Sequence, residues 1–120
     1  MKRDMDLVRK ILLAMEASPS GFAPAALPID GYDEDAIGHH MYLMKEGELV
    51  TAVVTTAYGR KSPVAVPLTI TWKGHEFLAV TRNEKVWSKL KTELKERGLS
   101  LPFSLMQDLA IKIAASLAGL

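Results

Sequence analysis

Residues 46–72 read Glu46-Gly47-Glu48-Leu49-Val50-Thr51-Ala52-Val53-Val54-Thr55-Thr56-Ala57-Tyr58-Gly59-Arg60-Lys61-Ser62-Pro63-Val64-Ala65-Val66-Pro67-Leu68-Thr69-Ile70-Thr71-Trp72. Within them the apolar period changes from 3.6 to 2. The preceding segment, Asp33 to Glu46, reads as a helix. Asp33 caps it, and Glu34 and Asp35 sit in its first turn, where the helix dipole favours negative charge. Ile37, Met41 and Met44 form one face, flanked by His40 and Leu43. Gly47 is placed to end the helix as a left-handed residue. Leu49 to Thr56, rich in Val and Thr, reads as a strand. Tyr58 to Pro63 is a turn with a basic tip. On the return, Val64, Val66, Leu68, Ile70 and Trp72 alternate with Ala65, Pro67, Thr69 and Thr71, which predicts a strand with one apolar face. Pro67 has no N–H to donate, so it belongs at an edge or a bulge. The two strands make a hairpin.

Upstream, Asp4 caps a helix running to about Glu16, with Val8, Ile11, Leu12 and Met15 at the spacing of one buried face. Pro19 and Gly21 stop it. Ser18 to Gly31 carries Pro19, Pro24 and Pro28 and is a connection, with room for one short strand around Ala25 to Ile29. Downstream, Thr71 caps a third helix that carries Phe77 and Leu78 and ends near Arg82. Asn83 caps a fourth through Arg97, with Trp87, Leu90 and Leu94 on one face, and Gly98 ends it. Pro102 suits the first turn of a last helix reaching about Ala118. The class is therefore α+β. The order of helix, short strand, helix and β-hairpin resembles a winged helix, here with a helical C-terminal extension. Residues 1–82 would form the winged-helix-like core, and residues 83–120 the C-terminal helices packed on it in a single domain. Asp33–Glu46 takes the recognition-helix position and Tyr58–Pro63 the tip of the wing. A complete helix-turn-helix has another helix just before the recognition helix. The proline-rich connection stands in its place.

Leu68 to Leu78 is the most specific stretch: an apolar residue, Thr, two residues and Gly, then a Leu-bearing helix, similar to the end of the wing in many winged-helix proteins. Thr71 caps that helix and Gly74 lets it lie close to the sheet. The chain also resembles, over nearly its full length, a family of small uncharacterised bacterial and prophage proteins. The resemblance rests on Met1 to Leu7, His40-Met41-Tyr42-Leu43-Met44, Thr71-Trp72-Lys73-Gly74-His75-Glu76-Phe77-Leu78 and Val86-Trp87-Ser88-Lys89. It implies a fold and not an activity.

At 120 residues, 48% hydrophobic and 24% charged, the chain has the balance of one folded domain and not of a disordered one. It has no cysteine, which excludes disulfides, thiolate metal sites and thiol catalysis. Asp4, Asp6, Arg9 and Lys10 interrupt any leader-like apolar run, and Leu109 to Leu120 falls short of the ~20 residues a membrane span needs. A cytoplasmic protein is the expectation. Residues 1–47 hold 5 Lys+Arg against 8 Asp+Glu, a net of −3, and residues 48–120 hold 10 against 6, a net of +4. A nucleic acid would be met by the basic part, although a basic helix is also simply a solvated face.

His75-Glu76 opens the zinc-protease pattern His-Glu-x-x-His, but Ala79 stands at its fifth position. His40 is seven and five residues from Asp33 and Asp35, not the three or four that align on one face. No metal site, cofactor or catalytic residue is expected, and the chain reads as a binding protein. Arg60 and Lys61, with Tyr58 beside them, are the strongest nucleic-acid signal, because wings reach phosphates or the minor groove of double-stranded DNA. Lys45, His39 and Tyr42 could assist from the recognition-position helix. Against this, that helix begins with Asp33, Glu34 and Asp35, which repel phosphate. An acidic leading turn suits a protein-interaction module without DNA binding. On the last helix Phe103, Met106, Leu109, Ala110, Ile113 and Leu117 form a wide apolar stripe, with Leu105, Ile111 and Leu120 outside it. That is either a central core helix or a homodimer helix, with Leu105, Leu109, Ile111, Ile113 and Leu117 at the contact.

Overall fold

Four of the five helices described start at a capping side chain. In the computed structural model, which describes residues 1–24, 26–98 and 100–120, Asp4 precedes α1 (Met5–Glu16), and its carboxylate accepts from the Asp6 and Leu7 N–H groups. Asp33 precedes α2 (Glu34–Glu46) and accepts from Ala36 N–H at 2.7 Å. Each cap satisfies donors that a helix N-terminus otherwise leaves unpaired. β1 (Val50–Val54) and β2 (Ala65–Ile70) follow as an antiparallel pair. Then come α3 (Trp72–Thr81), α4 (Glu84–Glu96) and α5 (Phe103–Leu117). The α+β class holds, as five helices and one two-stranded sheet among the described residues. The chain divides into two compact units, Met1–His75 and Glu76–Leu120. The division falls inside α3. Among the described residues no helix is long and apolar enough to cross a membrane.

In the first unit α1 packs on α2 and β2, and α2 packs on both strands. Leu7, Val8, Ile11, Leu12 and Met15 of α1 are buried, as are Ile37, Met41 and Met44 of α2, with Leu49 and Val50 on the sheet side. His40 is 2% exposed. Its Nε2 accepts from Asp4 N–H at 2.9 Å. Its Nδ1 therefore carries the hydrogen and donates to the Ala36 carbonyl at 2.8 Å. The Tyr32 hydroxyl donates to Asp4 Oδ2 at 3.1 Å, and Lys10 Nζ lies 5.5 Å from the Tyr32 ring centre. Asp4, His40 and Tyr32 thus tie the start of α1 to α2 and its leading loop. Burial is the main force that raises the Tyr32 phenol above its ordinary ionisation range, with the Asp4 hydrogen bond and the Asp4 and Asp6 charges acting the same way.

Two expectations at the end of α2 and along β2 are corrected. Gly47 has φ −77 and ψ 0, and Glu48 takes the left-handed conformation at φ 63. Leu49 N–H reaches the Met44 carbonyl and Glu48 N–H the Lys45 carbonyl, so the helix ends in a complete Schellman motif with the buried Leu49 as its apolar anchor. The apolar residues of β2 do not share the inner face. Val64 is buried, yet Val66, Leu68 and Trp72 are exposed, while Ala65 and Pro67 point inward. The register explains this. Thr51 pairs with Thr69 but Ala52 pairs with Pro67, so Leu68 is the extra residue of a bulge. Small inward residues also let α2 come close, since a Cβ on Gly38 would lie 3.0 Å from Val64 Cγ1. Pro67 sits at the irregularity, where its missing N–H matters least.

The short strand expected from Ala25 to Ile29 is not formed. Ala25 lies outside the described residues, and residues 26–29 are not in a strand. One trace of it remains, the Ala23 N–H donated to the Leu68 carbonyl at 2.8 Å. Thr71 joins the hairpin to α3. Its N–H donates to the Leu49 carbonyl, its hydroxyl donates to the Glu48 carbonyl at 2.6 Å, and that oxygen accepts from Gly74 N–H at 3.1 Å. A Cβ on Gly74 would lie 2.3 Å from the Leu49 carbonyl oxygen.

In the second unit α4 packs on α5. Asn83 caps α4 by accepting from Lys85 and Val86 N–H. Val86, Trp87 and Leu90 of α4 are buried, with Met106, Ala110 and Ile113 of α5. Phe77 is fully buried, its ring 6.2 Å from that of Trp87 and 5.1 Å from that of Phe103. Gly98 ends α4 at φ 62, as its position predicts.

Candidate interaction surface

The hairpin tip forms because Gly59 accepts φ 87 in a turn closed by Arg60 N–H on the Ala57 carbonyl. Tyr58 projects fully into solvent beside it. Arg60 does not. Its Nη1 meets Asp35 Oδ1 at 2.5 Å, across a separation of 25 residues. The leading turn of α2 therefore meets the hairpin's arginine. His39 is held from the same helix: its Nδ1–H donates to the Pro63 carbonyl at 2.9 Å, and its ring stacks on Tyr42 with centres 6.1 Å apart. Arg60 and His39, read from sequence as nucleic-acid contacts, thus each make a contact between α2 and the loop of the hairpin. Lys61 and Tyr58 remain exposed at the tip. Lys45 is exposed too, but it stands about 15 Å along α2 from Asp35 at the helical rise per residue. The structure brings Arg60, His39 and Asp35 together and leaves Lys45 apart.

Between the segment 26–30, α2 and the hairpin runs a groove of about 560 Å³. Ile37 and Met41, both buried, form its floor, Leu27 and Ile29 line one side, and Val64 and Ala65 the other. Asp30, Glu34 and Arg60 stand at its mouth. Asp30 and Glu34 are exposed carboxylates with no ion-pair partner among the described residues. Sequence reading missed this groove. Its one legible signal was the alternation of Leu27 and Ile29 across Pro28 inside a stretch that otherwise reads as a connection. A second apolar surface lies on the outer side of the hairpin. Val53 pairs with Val66 there, both are exposed, and Leu68 is exposed at the bulge. Trp72, at the first turn of α3, is 82% exposed. No group of three metal-capable side chains occurs among the described residues.

Residues 2–100 match the family described as "Hypothetical protein (DUF2513)". The chain belongs to that family. An "Uncharacterized protein" of Haemophilus influenzae (strain ATCC 51907 / DSM 11121 / KW20 / Rd) is 34% identical over 119 residues, covering 98% of each chain. No solved structure matches. The hairpin, α2 and the groove of this DUF2513 chain all lie within the residues that match the family, whereas α5 lies beyond them.

Along α5 the five residues read as a dimer contact do not make one face. Ile113 is 5% exposed and belongs to the chain's own interior. Leu109 is half-buried. Leu105, Ile111 and Leu117 are exposed, but Leu105 and Ile111, six residues apart, stand about 120° apart around the helix, with Asp108 and Lys112 between them. Leu117 is the final residue of the helix.

Proposed function

We propose that this DUF2513 chain is a binding protein whose winged-helix-like first unit takes a protein partner and does not read duplex DNA. The observation that carries the reading is the Arg60–Asp35 pair. It sets a carboxylate, 53% exposed, beside the 42% exposed arginine that a wing would offer to phosphate, and that carboxylate comes from the turn of α2 that would face the major groove. Glu34 in that turn has no ion-pair partner among the described residues. The charge balance agrees: residues 1–75 carry 8 Lys+Arg against 9 Asp+Glu, a net of −1. A duplex-binding face needs the opposite sign to release counterions. The exposed apolar residues Val53, Val66 and Leu68, together with the groove, suit a protein surface. The Ala23–Leu68 bond, placed where a winged helix adds its third strand, supports the winged-helix-like description.

The test sets duplex DNA against peptides. A mixed-sequence duplex titrated with the full chain at about 50 mM salt should show no shift at micromolar protein, and a random peptide library panned on the same chain should yield binders that perturb amides of residues 1–75. Duplex retention that fades steeply with rising salt, and is lost in Arg60→Ala/Lys61→Ala, would overturn the reading in favour of DNA.

A further inference from the structure

The groove has one wall that is a strand edge. Thr55 N–H bonds to the Val64 carbonyl at the turn end of the hairpin. Bonded and non-bonded pairs alternate in an antiparallel ladder, so at the next pair, Val54 and Ala65, the Ala65 N–H and carbonyl face away from β1. That side is the groove. The same edge of β2 is occupied further along, where the Leu68 carbonyl accepts from Ala23 N–H. Beyond that bond, residues 26–30 line the far wall and make no main-chain hydrogen bond to β2 among the described residues. The chain begins to add a third strand at Ala23 and then leaves the edge at Ala65 uncovered over an apolar floor.

Resting on the protein-binding reading, we infer that this groove takes an extended apolar segment of a partner, carrying a lysine or arginine next to its apolar anchors, as an added strand on the edge of β2. An open edge supplies main-chain donors and acceptors, and alternate side chains of the added strand point to one face. Here that face meets Ile37 and Met41. The charge requirement comes from the mouth. Asp30 and Glu34 are exposed there without an ion-pair partner, and the Arg60 at the same mouth is neutralised by Asp35. A basic side chain is thus favoured at the rim and an acidic one repelled.

The experiment pans a displayed library of random heptapeptides on the full chain and on Asp30→Lys/Glu34→Lys. Wild type should enrich peptides that alternate Val, Ile or Leu with other residues and carry Lys or Arg. Those peptides should bind the charge-reversed protein about tenfold more weakly, as expected for two exposed ion pairs lost. Amide shifts should concentrate at Ala65 and residues 26–30. N-methylation of one alternate set of peptide amides should abolish binding, while methylation of the other set leaves it intact. Enriched peptides that ignore both charge reversal and N-methylation, or that shift Val53 and Leu68 on the outer sheet face instead, would overturn the groove assignment while leaving a protein-binding unit standing. An absence of enriched peptides would overturn the groove, and if joined by steep salt-dependent duplex binding would overturn both.

Discussion

Gly74 shows how one missing methyl sets the course of the chain. Thr71 fastens the start of α3 to the carbonyls of Glu48 and Leu49, which brings the helix backbone so close that a Cβ on Gly74 would lie 2.3 Å from one of them and 2.7 Å from Ile70 Cγ2. Neither obstacle is the end of a long side chain, so the backbone itself must move. Gly74→Ala should therefore destabilise by about 1–3 kcal/mol, read as a lower midpoint in urea. An unchanged midpoint would mean that α3 does not approach the hairpin this closely. Tyr32 makes a second test at the same scale. Its phenol is held above its ordinary range by burial, by its bond to Asp4 and by the carboxylates of Asp4 and Asp6. The protonated form is thus favoured in the folded state. That stabilisation is complete below the ordinary tyrosine value of about 10 and is lost as pH rises through the higher folded value. Wild type should lose more stability than Tyr32→Phe in that alkaline window. Because Tyr42 and Tyr58 are common to both proteins, the difference in their melting profiles isolates Tyr32, and parallel profiles would reject the assignment.

Elements differ in how far a sequence discloses them. Four helix starts were legible because they are local: Asp4, Asp33, Thr71 and Asn83 each accept from N–H groups two or three residues ahead, whereas α5 follows Pro102 with no side-chain cap. The left-handed residue after α2 was misplaced by one, since a glycine is the cheapest occupant of that conformation and Glu48 occupies it beside one. The inward face of β2 was misread because alternation fixes which residues share a face but not which face is buried, and the bulge at Leu68 shifts the pattern midway. The candidate surface was the least legible. Arg60 looked like a free wing cation until a carboxylate 25 residues away closed on it, and the groove joins three separate segments. Helix α5 falls between these cases. Its buried stripe of Met106, Ala110 and Ile113 follows the expected period, but the surplus that suggested a dimer is scattered over different sides. Leu105→Lys and Ile111→Lys should each leave stability within about 0.5 kcal/mol of wild type, as for surface changes, with the same sedimentation coefficient. A wild-type dimer that these changes convert to monomer would restore the dimer reading.

The whole molecule is two units of unequal means. Met1–His75 packs α1 on α2 and β2, and α2 on both strands of the hairpin, and holds most of the buried aliphatic side chains. Glu76–Leu120 is much shorter and rests on α4 against α5, with Phe77 between Trp87 and Phe103. Short units bury a smaller share of their surface and are correspondingly marginal, so local opening should be least costly there. Amides of α4 and α5 should exchange with deuterium through openings of lower free energy than those of α1 and α2. Leu90, fully buried in α4, provides the lever. Leu90→Ala removes buried methyl groups and leaves a cavity, at a cost of about 2–5 kcal/mol. If the second unit opens by itself, the lost protection should appear in α4 and α5, while α1, α2 and the hairpin keep theirs. Equal loss at every amide would instead mean that the chain opens only as a whole, with the continuous helix α3, which spans the boundary between the units, as the covalent route by which loss of one core reaches the other.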